Sequence, residues 1–253
     1  MSMELGIRGK RVLITGASRG LGRATALAFA KEGTQVGVIA RTEPELVSLM
    51  DEMGGGSAGH AYVVEDLLEG NPLNAVKALE REIGEFDIAI HNLGGSDTVR
   101  NTLSSWDEWQ KALYFIAGIA IDINGYLVPK MKAKKWGRII HISSIVATHL
   151  RGNGIYGTAK ALLNNYTTIL GRDLAADGII VSSIMPGFFR SKGNHWDRVL
   201  QVDPEGYREL VEKHLCIGRM GEVDDIVPFI LFMASRHSRF SPGTSIAVDG
   251  GTV

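Results

Sequence analysis

Tyr156 and Lys160 stand four residues apart in Tyr156-Gly157-Thr158-Ala159-Lys160, and Ser143 and Ser144 close an apolar run just upstream. Residues at i and i+4 share one face of a helix. An ammonium beside a phenol favours the phenolate and lowers the tyrosine pKa. The tyrosine then serves as an acid or base near neutral pH, with a serine hydroxyl to hold a substrate oxygen beside it. Taken alone, such a pair is more often an ordinary surface Tyr/Lys contact in the first turns of a helix.

A second group lies near the N-terminus, in Thr15-Gly16-Ala17-Ser18-Arg19-Gly20-Leu21-Gly22. Gly16 permits a sharp turn out of a strand, and Gly20 and Gly22 let a pyrophosphate and the helix backbone approach closely. A helix starting there directs free N–H groups and its positive dipole end at phosphates. The bland alternative is a tight strand-to-helix turn with no ligand; placement directly between a strand and a helix favours the nucleotide.

These residues need elements to position them. Apolar runs at Arg11–Thr15, Gln35–Ala40, Ala61–Val64, 87–91, 138–143, 179–185 and 245–248 read as strands. Amphipathic stretches at 20–32, 43–53, Pro72–Ile83, 106–135 and 156–177 read as helices. Strand and helix alternating with short turns predict an α/β fold, a single-domain doubly wound (Rossmann) parallel sheet covered by helices on both faces across residues 1–253. The Gly-rich stretch 53–59 reads as a surface loop, and 188–221 as one long irregular segment of the kind that carries function. Within it, 188–215 is expected to form a substrate lid.

With the order of motifs in place, the chain resembles the short single-domain form of the short-chain dehydrogenase/reductase family over nearly all its length. Thr15–Gly22 resembles the family's cofactor loop; Glu65-Asp66-Leu67 the acidic step that meets the adenine; and Asn92-Leu93-Gly94 the segment after strand four. Ser144, Tyr156 and Lys160 fall on the catalytic positions, with Ser143 a supporting neighbour. Pro186-Gly187 and Ser191 resemble the turn that contacts the nicotinamide carboxamide, while Gly218–Gly221 and Val248–Gly251 resemble C-terminal landmarks. The cofactor residues implied are Gly16, Ser18, Arg19, Gly20, Leu21, Gly22, Arg41, Asp66, Leu67, Asn92, Gly94, Tyr156, Lys160, Pro186, Gly187 and Ser191.

The resemblance also implies a mechanism. In the reducing direction hydride passes from the nicotinamide to a carbonyl carbon, Tyr156 donates a proton to the oxygen, Ser144 hydrogen-bonds it, and Lys160 holds the ribose and keeps the tyrosine acidic.

The cofactor expected is NADP(H). Strand two ends near the adenosine ribose, where an NAD enzyme places an acidic residue; here Ala40 stands there and Arg41 follows. Arg41 and Arg19 together suit a 2′-phosphate.

Two residues depart from the family pattern. His91 replaces the first asparagine of the segment after strand four, and is read as a packed, hydrogen-bonded residue. The asparagine that supports a water relay to the lysine is replaced by Ile116, which neither donates nor accepts. Asn124, two helical turns further on, is not expected to reach that place.

The substrate expected is a small carbonyl compound or secondary alcohol. Gly94–Ser96, 149–153 and the lid, with Arg190, Lys192, His195, Trp196 and Tyr207, are candidate pocket residues and favour a polar or anionic molecule such as a sugar derivative or hydroxy acid. Equally, those charges form the lid's solvated face. A 3-oxoacyl carrier-protein reductase is the alternative, and an NADP-binding protein with vestigial chemistry the alternative of another class.

The remaining numbers set bounds. The chain has 253 residues, 45% hydrophobic and 22% charged, with formal net charge −1. This suits a globule with a large core and gives no basic surface for nucleic acid or membrane. Cys216, the single cysteine, excludes an internal disulfide and fits a reducing, cytoplasmic setting. No metal site, signal peptide or membrane-spanning run is expected. A homotetramer or homodimer is expected, pairing through the helices at 106–135 and 156–177.

Overall fold

The computed structural model describes residues 4–95, 101–149 and 154–253. Its elements are β1 (Arg11–Thr15), α1 (Gly20–Lys31), β2 (Gln35–Ala40), α2 (Glu43–Glu52), β3 (Ala61–Val64), α3 (Pro72–Ile83), β4 (Ile88–His91), α4 (Trp106–Leu113), a π-helical turn (Tyr114–Gly118), α5 (Ile119–Lys134), β5 (Gly137–Ile142), α6 (Val146–His149), α7 (Gly154–Leu174), β6 (Ile179–Pro186), β7 (Phe189–Arg190), α8 (His195–Val202), α9 (Pro204–His214), β8 (Gly221–Glu222), α10 (Val223–Ala234) and β9 (Thr244–Val248).

Seven strands pair in the order β3-β2-β1-β4-β5-β6-β9, every neighbour parallel. Parallel strands must be covered on both faces, and alternation along β1 shows how the sequence arranges it. Val12 and Ile14 enter one core with Phe29 of α1 and Ile230 of α10. Leu13 enters the other with Leu79 of α3 and Ile123 of α5. The strand order reverses between β1 and β4, so their C-terminal ends open a crevice, the place where a doubly wound sheet binds its ligand.

The strands and helices read from the sequence fall where expected, with ends displaced by a residue or two. Two readings are corrected. Residues 188–221 are not irregular: they hold α8 and α9, flanked by the small β7–β8 pair. Side-chain caps explain the helices: Asn194 accepts from the Asp197 N–H, and Asp203 accepts from the Gly206 N–H with Pro204 opening α9. The second is the expectation of no membrane-length apolar run: Trp106–Lys134 is one helical run of 29 residues, long and apolar enough by length and composition to cross a membrane. Ile119, Ile123, Leu127 and Met131 of this run are spent on the core beneath the sheet. Besides these, α10 is a helix the sequence reading did not mark; it carries Pro228 in its interior.

Candidate active site

Each strand of the crevice delivers part of one cavity of about 1000 Å³. At the end of β1 the chain turns through Gly16, whose φ is +68° and whose N–H donates to the Ile39 carbonyl over 2.8 Å. Gly20 opens α1 with φ +59°. Side chains other than glycine's are strained in this left-handed region. Arg19 precedes α1 without a side-chain cap, leaving the first N–H groups of the helix directed into the crevice beside Ser18 and Leu21. Gly22 alone among the expected cofactor residues does not line the cavity. A Cβ there would fall against the Gly16 carbonyl oxygen and the Asn92 amide, so its lack of a side chain serves the packing of turn against strand.

From β2 come Ala40 and Arg41. The Arg41 guanidinium reaches Asp66 at 3.5 Å, and Asp66 in turn accepts from the Leu68 N–H at 3.0 Å. Leu67 is buried beside it. Beyond β4, Asn92 ties two strands together: its N–H donates to Thr15 Oγ1 at 3.1 Å and its Nδ2 to the Gly16 carbonyl at 3.0 Å. Pro186 and Gly187 close β6, and Ser191 follows; its Oγ lies 3.1 Å from where a Gly20 Cβ would stand.

The floor of the cavity is made by β5 and α7. Tyr156 is half-buried and hydrogen-bonded to the Ser144 side chain. Lys160, buried, donates from Nζ to the Ile142 carbonyl at 2.6 Å and more distantly to Leu93 at 3.5 Å. Its Nζ lies 5.7 Å from the centre of the Tyr156 ring. Ser143 Oγ donates to the Lys160 carbonyl at 3.3 Å, anchoring α7 to the strand. A Cβ on Gly94 would stand 3.1 Å from Lys160 Nζ.

Burial governs the protonation of the pair. It pushes the Lys160 ammonium down to about 7 and the Tyr156 phenol up to about 12, against a smaller lowering from Ser144. The sequence suggests the opposite shift for tyrosine, by attraction to the ammonium. Desolvation of both groups outweighs it in the structure, and a lysine near 7 is only partly charged at neutral pH.

Some lining residues carry no signal in the sequence. The C-terminus folds back beside the lid: Thr252 bridges Leu215, and Val253 N–H donates to the His214 carbonyl at 3.0 Å. This brings Thr252 and Val253 to the cavity wall with Phe115, beside His214 and Trp196 of the expected lid. His149, Lys192 and His195 also line it, while Arg190 and Tyr207 belong to a separate surface groove by α9. Ser96 and residues 150–153 lie outside the described residues. Ile116 is buried within the π-helical turn and does not line the cavity.

The family model described as enoyl-(acyl carrier protein) reductase matches residues 16–253. The chain is 30% identical to the 3-oxoacyl-[acyl-carrier-protein] reductase of Escherichia coli (strain K12) over 253 residues, covering 98% of each. It belongs to the short-chain dehydrogenase/reductase family. Within that family it is also 30% identical to glucose 1-dehydrogenase of Gluconobacter oxydans, covering 96% of this chain and 91% of that one. Two solved members superpose closely. L-sorbose reductase from Gluconobacter frateurii, complexed with NADPH and L-sorbose, has a TM-score of 0.88 at 29% identity, covering 98% of both chains. A 3-oxoacyl (acyl-carrier-protein) reductase from Agrobacterium tumefaciens with NADP bound has 0.90 at 29%, covering 99% of this chain and 98% of that one.

Proposed function

We propose that this short-chain dehydrogenase/reductase interconverts a small polar carbonyl compound and its secondary alcohol at the Ser144–Tyr156–Lys160 floor, with NADP(H). The carrying observation is that the half-buried, Ser144-bonded Tyr156 opens into the same cavity as the uncapped start of α1 and Arg41.

The residues present fit the cofactor. Gly16, Ser18, Arg19, Gly20 and Leu21 leave room and N–H groups for its pyrophosphate; Arg41 and Arg19 suit its 2′-phosphate; Asp66 and Leu67 flank its adenine end; and Asn92, Gly94, Pro186, Gly187 and Ser191 surround the nicotinamide end. When bound it supplies or accepts the hydride. Ser144 and Tyr156 hydrogen-bond the substrate oxygen, and Tyr156 gives it a proton in reduction or takes one in oxidation. Lys160 holds the ribose hydroxyls and, when charged, favours the tyrosinate. Residues 188–215 act as a lid over the substrate. His149, Lys192, His195 and Trp196 around the opening favour an anionic or hydroxylated molecule, a keto-sugar or a hydroxy acid. A second reading, reduction of a 3-oxoacyl group on a carrier protein, is favoured by the identity to the Escherichia coli enzyme.

One NADP-binding domain spanning 1–253 works as a homotetramer or homodimer in the cytoplasm. Exposed Ile121 of α5 and Leu162 and Ile169 of α7 give those helices the apolar surface that pairing needs.

The test is NADPH oxidation, followed optically, with ketoses, 2-oxo acids and 3-oxoacyl thioesters, free and carrier-bound. Turnover of the free polar compounds supports the first reading, and strict dependence on a carrier protein the second. NADPH binding with no turnover of any carbonyl compound would overturn both.

A further inference from the structure

Below the floor of the cavity lies a closed set of polar side chains from four elements. Asn124 of α5, buried, sits at its centre. Its Oδ1 is 2.8 Å from Nε2 of His91 on β4; its Nδ2 is 3.1 Å from Nε2 of His141 on β5 and 3.3 Å from the Tyr166 hydroxyl on α7. His141 Nδ1 lies 2.7 Å from Thr167 Oγ1, and Thr167 donates to the Leu163 carbonyl at 2.7 Å.

With the Asn124 amide oriented this way, one proton arrangement satisfies all of these. The Thr167 proton is committed to Leu163, so Thr167 accepts from His141 Nδ1–H. His141 Nε2 is then a bare acceptor for the Asn124 amide, and Asn124 Oδ1 accepts from His91 Nε2–H. Every site on the asparagine side chain but one lone pair is engaged. A donor aimed at Nε2 leaves no place there for a second proton, so His141 is locked as the neutral Nδ1–H tautomer.

The position of this set gives it a consequence for chemistry. His91 is two residues before Leu93 and His141 directly precedes Ile142, the two residues whose carbonyls accept from Lys160. Tyr166 and Thr167 lie on the helix that carries Tyr156 and Lys160. His141 is faced by His91 from β4, Asn124 from α5, and Tyr166, Thr167 and Lys160 from α7; its strand neighbour on β6 is Ser183. A proton on His141 would place a second cation near the lysine.

We propose that Asn124 is a positioning residue for the Tyr156–Lys160 pair, tying β4, β5 and α7 together and fixing the tautomer of His141 beside Lys160. The role rests on the catalytic reading of Tyr156 and Lys160.

The test compares wild type, Asn124→Leu and Tyr156→Phe in NADPH-dependent carbonyl reduction. Asn124→Leu keeps the branching of the side chain but removes the donor to His141. Its kcat is expected to fall on the order of ten- to a hundredfold, the scale of a misplaced catalytic group, with NADPH Kd within about threefold of wild type. A folded variant with wild-type kcat overturns the proposal while leaving the catalytic reading intact. Full activity in Tyr156→Phe overturns the catalytic reading itself. Should Asn124→Leu not fold, nitrogen-15 histidine spectra of the wild type decide: a neutral Nδ1–H His141 at pH 7 supports the proposal, and a charged ring or an Nε2–H tautomer overturns it.

Discussion

Lys160 buries its ammonium on the floor of the crevice against the carbonyl oxygen of Ile142, 2.6 Å away. A cation held this way is satisfied by dipoles but poorly solvated. The cost should appear in stability. Burial lowers the lysine from its usual 10.5 to about 7, so between these values the unfolded chain binds more protons than the folded one, and stability rises with pH across that window. Denaturant melts at pH 7 and 9.5 should show this rise, and Lys160→Met should flatten it, gain stability at pH 7 and lose turnover. A variant less stable than wild type at pH 7 would contradict the assignment.

The buried histidines set the opposite end. His91 is lowered to about 4 by burial, against a smaller raising from Asn124. Its unfolded value is near 6.5, so stability should be lost as pH falls from about 6.5 towards 4. His91→Asn should shrink that acid loss; an unchanged melting profile over this range would argue against a buried neutral ring.

Arg41 tests cofactor choice. It stands after Ala40 with its guanidinium largely exposed and only a 3.5 Å contact to Asp66, so it is available to a 2′-phosphate. Titration of NADP and NAD should give tighter NADP binding in the wild type. Arg41→Ala should cost roughly 10²–10³-fold in NADP affinity, the scale of charged hydrogen bonds. Undiminished NADP binding in the variant would rule the contact out.

The lid should move. Neither α8 nor α9 contains a buried residue, and helices with so little packing open locally at low cost. Hydrogen exchange at 188–215 should slow when cofactor and substrate are both present. Equal protection with and without them would remove the lid from the account.

What the sequence displayed depends on how local the physics is. The strands of the sheet are continuous apolar runs such as Val12–Ile14 and Ile139–Ile140, and burial on both faces leaves that mark in any window. Gly16 and Gly20 were legible because their left-handed turns need glycine. The lid helices are marked only weakly: Trp196, Val199 and Leu200, then Tyr207, Leu210, Val211 and His214, repeat at helical spacing, but the runs are short and their caps, Asn194 and Asp203, are also ordinary loop residues. The Asn124 set was hidden for another reason. His91, Asn124, His141 and Thr167 are far apart in sequence, and only the β4–β5 register that sets His91 beside His141 brings them together. Likewise nothing local announced that Val253 would reach the cavity wall.

The central claim is that Tyr156 moves the proton. It is tested most directly by the turnover of Tyr156→Phe, measured beside its NADPH affinity on any carbonyl substrate the wild type reduces. The phenylalanine keeps the ring and the packing but has no proton to give. The account predicts a loss of at least ~100-fold in kcat, with NADPH binding within a few-fold of wild type. Turnover near the wild-type value, with the fold intact, would contradict it.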